Sequence, residues 1–212
     1  MKGTLKNLHP VNNNKLINII VPTYNGGPKL EVIINSLLSQ SSDNYHITIV
    51  SDGPSLEVLN QLSKYSENKN ISYYELENRY NDWGHTPREY GIYTSECRFT
   101  LMTGYDNYYV PEFVENFEKA INENNNVGFV YCNFITHHDR GNGKYHNFID
   151  SRIEASWIDI GCFAAETKLI KEVGFKSRRF AADWDLVNSL LPILHFNNKN
   201  IIKINKILYV HN

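Results

Sequence analysis

Leu16-Ile17-Asn18-Ile19-Ile20-Val21, closed by Pro22-Thr23-Tyr24-Asn25-Gly26-Gly27 and followed by Pro28 to Gln40, decides how this chain is read. Apart from Asn18 the first six residues are apolar, the pattern of a strand buried on both faces, and Pro22 closes it. Pro28 to Gln40 then carries Leu30, Ile33, Ile34, Leu37 and Leu38, which form one stripe on a helix. The same strand, polar loop and helix recur downstream. His46 to Val50 is a second strand, and Ser55 can cap a helix bearing Leu59 and Leu62. Ile71 to Leu76 is a third strand, and Thr86-Pro87 opens a helix running to about Thr94. Phe99 to Met102 is a fourth strand. A helix from about Glu112 presents Phe113, Phe117, Ala120 and Ile121, and Val127 to Ile135 is strand again. This alternation implies right-handed crossovers and an α/β fold, with a mostly parallel central sheet flanked by helices. After Ile135 the rhythm breaks. His137 to Tyr145 reads as a turn or hairpin, followed by an apolar stretch around Ile160 and helices near Thr167 and Asp183.

At 212 residues one large domain is expected, and 42% hydrophobic residues can fill its core. Twenty-one Lys and Arg against 23 Asp and Glu exclude a strongly basic nucleic-acid binder. No apolar run is long enough for a membrane span and no signal peptide opens the chain, and the three cysteines read as reduced thiols, for which a cytoplasmic protein is expected. Cys97, Cys132 and Cys162 are odd in number and far apart, which fits buried packing residues rather than disulfides or a zinc site.

Ligands of open parallel sheets bind at the carboxyl ends of the strands. Those ends carry Pro22-Thr23-Tyr24-Asn25, Ser51-Asp52-Gly53-Pro54, Asn81-Asp82-Trp83-Gly84-His85 and Thr103-Gly104-Tyr105-Asp106-Asn107. Each is ordinary turn chemistry by itself, but four on one edge point to a nucleotide. Neither the dinucleotide glycine fingerprint nor a P-loop is present. Phosphate charge is therefore expected to be met by Mn²⁺ or Mg²⁺, with Asp106 the best carboxylate to hold it. Trp83 and Trp157 can stack on a base or a sugar face. Arg88 can contact diphosphate or uracil. Adjacent residues on a turn point different ways, which makes His137-His138-Asp139 a poor metal cluster.

Val21-Pro22-Thr23-Tyr24-Asn25 resembles the opening motif of family 2 glycosyltransferases with the GT-A fold. Asp52-Gly53-Pro54-Ser55 resembles their Asp-Gly-Ser motif, and Pro87-Arg88-Glu89-Tyr90-Gly91-Ile92 their Ala-Arg-Asn-x-Gly-Ile segment. The stretch from Thr103 to Pro111 is similar to the Asp-x-Asp region, with Gly104 in place of the first Asp. Ala182-Asp183-Trp184-Asp185 is similar to the late Glu-Asp-Trp-Asp motif, with Ala182 in place of Glu, and Tyr209-Val210-His211 to the closing strand. The resemblance implies that Asp52 reads uracil or its ribose, that Asp183 is the catalytic base with Asp185 its rival, and that His211 joins Asp106 on the metal.

The expected protein is a single GT-A-type domain over 16–212 behind a polar lead-in at 1–15. Residues 16–110 form its nucleotide-binding half and 111–212 its acceptor half. Pro22, Thr23, Tyr24, Asn25, Asp52, Trp83, Arg88, Tyr105, Asp106 and Asn107 are expected around the nucleotide. Trp157, Gly161 and Trp184 are expected around the acceptor or sugar. The implied activity is metal-dependent, inverting transfer from a UDP-sugar to a hydroxyl of a glycan or glycoconjugate. A nucleotidyltransferase and a catalytically silent sugar- or nucleotide-binding module are the alternatives. Many such transferases carry a C-terminal extension for membrane docking or acceptor binding, so a longer protein with a fused domain is also expected.

Overall fold

The computed structural model describes residues 1–6, 8–138, 143, 147–179 and 182–212. One twisted sheet of ten strands forms its centre. β1 is Gly3–Leu5, β2 Ile17–Thr23, β3 Tyr45–Ser51, β4 Ile71–Leu76 and β5 Phe99–Met102. β6 is Tyr108–Tyr109, β7 Val127–Thr136, β8 Asn147–Ile149, β9 Phe163–Glu166 and β10 Asn200–His211. The order across the sheet is β1-β4-β3-β2-β5-β9-β7-β10-β6, with β8 paired to β7. The helices are α1 Pro28–Leu38, α2 Leu56–Leu62, α3 His85–Tyr93, α4 Phe113–Asn122, α5 Thr167–Val173 and α6 Ala182–Phe196.

The first half follows the alternation in the sequence. β4, β3, β2 and β5 are neighbours and all parallel. Every residue of β2 is buried, as a strand covered on both faces requires. Ser55 caps α2 by accepting from the Val58 N–H at 3.3 Å.

Two expectations change. The sheet is mixed rather than mostly parallel, because β9 runs antiparallel between β5 and β7. The described residues between β7 and β9 contain only β8 and a short 3-10 turn at Ile160–Cys162, so no crossover helix turns the chain around. The lead-in is also not merely polar coil. Its Gly3–Leu5 adds to the free edge of β4, and the Lys6 ammonium lies 3.1 Å from Glu75. The closing strand begins at Asn200, well before Tyr209, and pairs in parallel with β7. This pairing brings the end of β10 beside β6, with Val210 opposite Tyr108.

Candidate functional site

The carboxyl ends of β2, β3, β4 and β5 form one rim, and the N-terminus of α6 and the end of β10 close it from the second half. At the first loop the Thr23 hydroxyl donates to the Asn25 carbonyl at 2.9 Å. The Tyr24 ring, 42% exposed, lies under the Arg79 guanidinium at 3.3 Å. Arg79 follows β4 by three residues and was not expected in the site. Its signal in the sequence, a cation among loop residues, is too common to stand out.

Asp52 is buried, and its two carboxylate oxygens accept from the backbone N–H groups of Tyr80 and Asn81 at 2.9 and 2.8 Å. It thereby fixes the loop after β4, in which Asn81, Trp83 and Gly84 all take positive φ (54°, 60° and 81°). Left-handed backbone at Asn81 and Trp83 is costly and persists only when its surroundings hold it. Three groups do so. Asp52 grips one end, Asp82 accepts from the Thr86 N–H and hydroxyl, and Arg88 donates to the Trp83 carbonyl at 3.0 Å. The result presents Trp83 to solvent on the rim, 65% exposed.

Arg88 is buried, and its Nε and Nη2 donate to the Thr103 carbonyl at 3.3 and 3.2 Å. It ties the end of β5 to the strained loop and carries positive charge beneath the site. Burial pulls its guanidinium down from its usual value, while Asp183 and Asp159 lead the opposing pull. Asn107 is likewise a connector: its amide donates to the Thr103 hydroxyl at 3.1 Å and its carbonyl accepts from the Asn212 N–H at 3.2 Å. Tyr105 packs partly buried against the core. Asp106 stays open to the rim, 3.3 Å from the Lys29 ammonium.

Asp183 and Asp185 sit in the first turn of α6. Burial and then the Asp159 charge push the Asp183 carboxyl up to about 6, against Arg88, the Ile160 backbone and His211. Asp185 is clamped by Arg179, whose Nε and Nη2 donate at 2.9 and 2.7 Å, and this holds its carboxyl below the usual range.

Asp159 is the central residue that sequence reading missed. Its Oδ1 accepts from the Gly161 N–H and the Tyr209 hydroxyl, both at 2.8 Å, and its Oδ2 lies 3.8 Å from His211 Nδ1. Nothing in Ile158-Asp159-Ile160 announces this, since Tyr209 and His211 arrive from a strand some fifty residues later. Gly161 is explained by packing: a Cβ there would lie 2.4 Å from the Tyr209 ring. Trp157 lies under the Arg152 guanidinium at 4.5 Å, and Trp184 packs partly buried against the core. His138 stacks edge-on to His211 with ring centres 4.9 Å apart, whereas Asp139 lies outside the described residues. Among the described residues no three His, Cys, Asp or Glu side chains gather closely enough to enclose a metal ion. All three cysteines are free and buried.

The fold has solved counterparts. S. aureus TarS in complex with UDP-GlcNAc superposes with a TM-score of 0.72 at 20% identity, covering 92% of this chain and 57% of that one. The mannosyltransferase PcManGT from Pyrobaculum calidifontis, in complex with GDP-Man and Mn²⁺, gives 0.70 at 16% identity, covering 96% and 59%. Both show the GT-A architecture. By sequence, an uncharacterised glycosyltransferase of Rickettsia typhi is 25% identical over 205 residues, 89% of this chain. The chain spans 63% of that relative's length. Among the described residues no helix is long and apolar enough to cross a membrane. Residues 18–185 match the profile of Glycosyl transferase family 2, and the chain belongs to that family.

Proposed function

We propose that this glycosyltransferase moves a sugar from a UDP-sugar to an acceptor hydroxyl of a glycan or glycoconjugate, with inversion and with a divalent cation. The observation that carries this reading is Asp183, a recessed carboxylate on the rim whose pKa is raised to about 6. At neutral pH such a group is ionised yet basic enough to take the acceptor's proton as its oxygen attacks the anomeric carbon. Attack from the face opposite the leaving UDP inverts the configuration. Asp185, already neutralised by Arg179, is a poor base.

The donor's diphosphate lies over Asp106 and His211 in this reading. One carboxylate and one imidazole at adjoining strand ends fit Mn²⁺ or Mg²⁺, hard cations that complete their shell with diphosphate oxygens and water. When bound, the cation supplies charge that offsets the negative charge growing on UDP. Pro22, Thr23, Tyr24, Asn25 and Trp83 line the nucleotide side, and Arg88 holds the two loops that flank it. Each Asp52 oxygen retains a lone pair beyond its backbone bond, so the carboxylate can still accept from uracil N3–H. Trp157 and Trp184 are assigned to the acceptor side, whereas Gly161 is buried against the Tyr209 ring and serves the packing beneath it.

The TarS complex with UDP-GlcNAc supports the uridine assignment, whereas the GDP-Man complex of PcManGT makes the base the feature to test. Calorimetric titration of UDP and GDP in the presence of Mn²⁺ tests it. UDP is expected to bind more tightly, and tighter GDP binding would overturn the assignment.

A further inference from the structure

The Asp106 carboxylate is shared. The Lys29 ammonium lies 3.3 Å from its Oδ2, across the rim from the other side of the first loop, and both side chains retain solvent access (56% for Lys29, 28% for Asp106). Lys29 stands in the first turn of α1, just past Gly27 and Pro28. Both backbone groups of Gly27 are taken by Gln61, whose Oε1 accepts from the Gly27 N–H at 2.7 Å and whose Nε2 donates to its carbonyl at 2.8 Å, so it is the Lys29 side chain that this turn sends to Asp106. A solvent-accessible cation and a solvent-accessible carboxylate thus meet on the rim. The neighbouring position that would have doubled the negative charge is Gly104. One Asp with one Lys leaves this part of the rim with no net charge.

From this geometry we propose that Lys29 is a tethered counter-cation for the donor's diphosphate, held on Asp106 until the nucleotide arrives. The inference rests on the donor reading above and deepens it. A compact ammonium on a four-carbon stem with three donors can leave a carboxylate for a phosphate without moving the backbone. In the free protein the pair lowers the affinity of Asp106 for a divalent cation, because Lys29 must be displaced first. With a divalent cation on Asp106, Nζ would be free to turn to the diphosphate and add a charge-assisted hydrogen bond. Without a divalent cation the same ammonium still gives the diphosphate one positive partner. Lys29 therefore supports metal-free UDP binding and opposes binding of metal to the nucleotide-free protein.

Calorimetry separates these effects without an activity assay. UDP titrated into the full chain in EDTA is expected to bind weakly, and Lys29→Met should weaken that binding by about tenfold or more, the loss of one hydrogen bond to a charged group. Mn²⁺ titrated without nucleotide should bind Lys29→Met several times more tightly than the parent. Lys29→Arg, which keeps the charge, should resemble the parent in both titrations. Melting temperature identifies any variant that fails to fold, and Lys29→Gln then replaces Lys29→Met. Unchanged UDP affinity in the variant, or unchanged Mn²⁺ affinity, overturns the role of Lys29 alone. A parent that binds no UDP even with Mn²⁺ overturns the donor reading and this inference with it.

Discussion

Asp183 and Asp185 stand two residues apart in the first turn of α6 and meet opposite electrostatic surroundings. Arg179 donates two hydrogen bonds to Asp185, while Asp183 is recessed beside the like charge of Asp159. Asp183→Asn keeps the side-chain volume but cannot take a proton, so transfer should fall by about 10²–10⁴-fold with UDP binding intact. Asp185→Asn removes a solvent-screened ion pair and should leave both stability and rate nearly unchanged. Steady-state kinetics and calorimetry on the two variants check both expectations.

The same asymmetry sets a pH dependence. A base must be ionised to work, and the Asp183 carboxyl is raised to about 6. The transfer rate should therefore be full above that pH and decline as pH falls through it, about tenfold per unit once well below. A pH–rate profile for the wild-type protein should show this acid limb. A rate still flat at pH 5 would remove Asp183 from the role.

Metal dependence is testable on two residues. Asp106→Asn should abolish the gain in UDP affinity that Mn²⁺ confers, and His211→Ala should reduce it. Neither change removes a large buried contact at Asp106, whose partner Lys29 is more than half exposed, so the melting temperature of Asp106→Asn should hardly move.

Much of the fold was legible because burial and period agree. Leu16 to Val21 reads as a two-sided buried strand, and every residue of β2 is buried. The antiparallel β9 was not legible, since Phe163–Glu166 continues an apolar run that begins in the preceding turn, and nothing local states which neighbour it will join. The rim was legible where a loop directly follows a strand, as at Asp52 and Asp106. It was illegible where a residue acts through distant partners. Asp159 draws its importance from Tyr209 and His211, and Lys29 from Asp106 across the rim. Asp52 carried a polar signal, but its bonds to Tyr80 and Asn81 depend on a loop geometry that no spacing reveals.

Gly161 links stability to the site. Replacing it with Ala would drive a methyl into the Tyr209 ring, whose hydroxyl donates to Asp159. Overpacking of this kind costs about 1–3 kcal/mol. Denaturant unfolding of Gly161→Ala should show that loss, together with a larger fractional loss of activity than a core change remote from the rim.

A second pH effect lies away from the rim. His46 is fully buried, its Nδ1 accepting from the Asn12 N–H at 3.4 Å while Nε2 meets the Ser72 hydroxyl at 2.6 Å. Burial, then Lys15 and His9, lower its pKa from 6.5 to about 4. The unfolded chain therefore binds this proton first, and stability present above about pH 6.5 is lost as pH falls toward 4. The loss reaches about 3 kcal/mol for a shift of this size. Urea unfolding across that range should show the slope, and His46→Gln should flatten it.

With Asp183 as base, this rim is proposed to break the bond between a sugar and UDP. The most direct measurement is UDP release from a panel of UDP-sugars with Mn²⁺, water standing in for the acceptor. Slow release is expected from at least one donor, above the rate without protein and lost in Asp183→Asn while UDP still binds. UDP-sugars that bind and are never cleaved, or cleavage that Asp183→Asn leaves untouched, would contradict it.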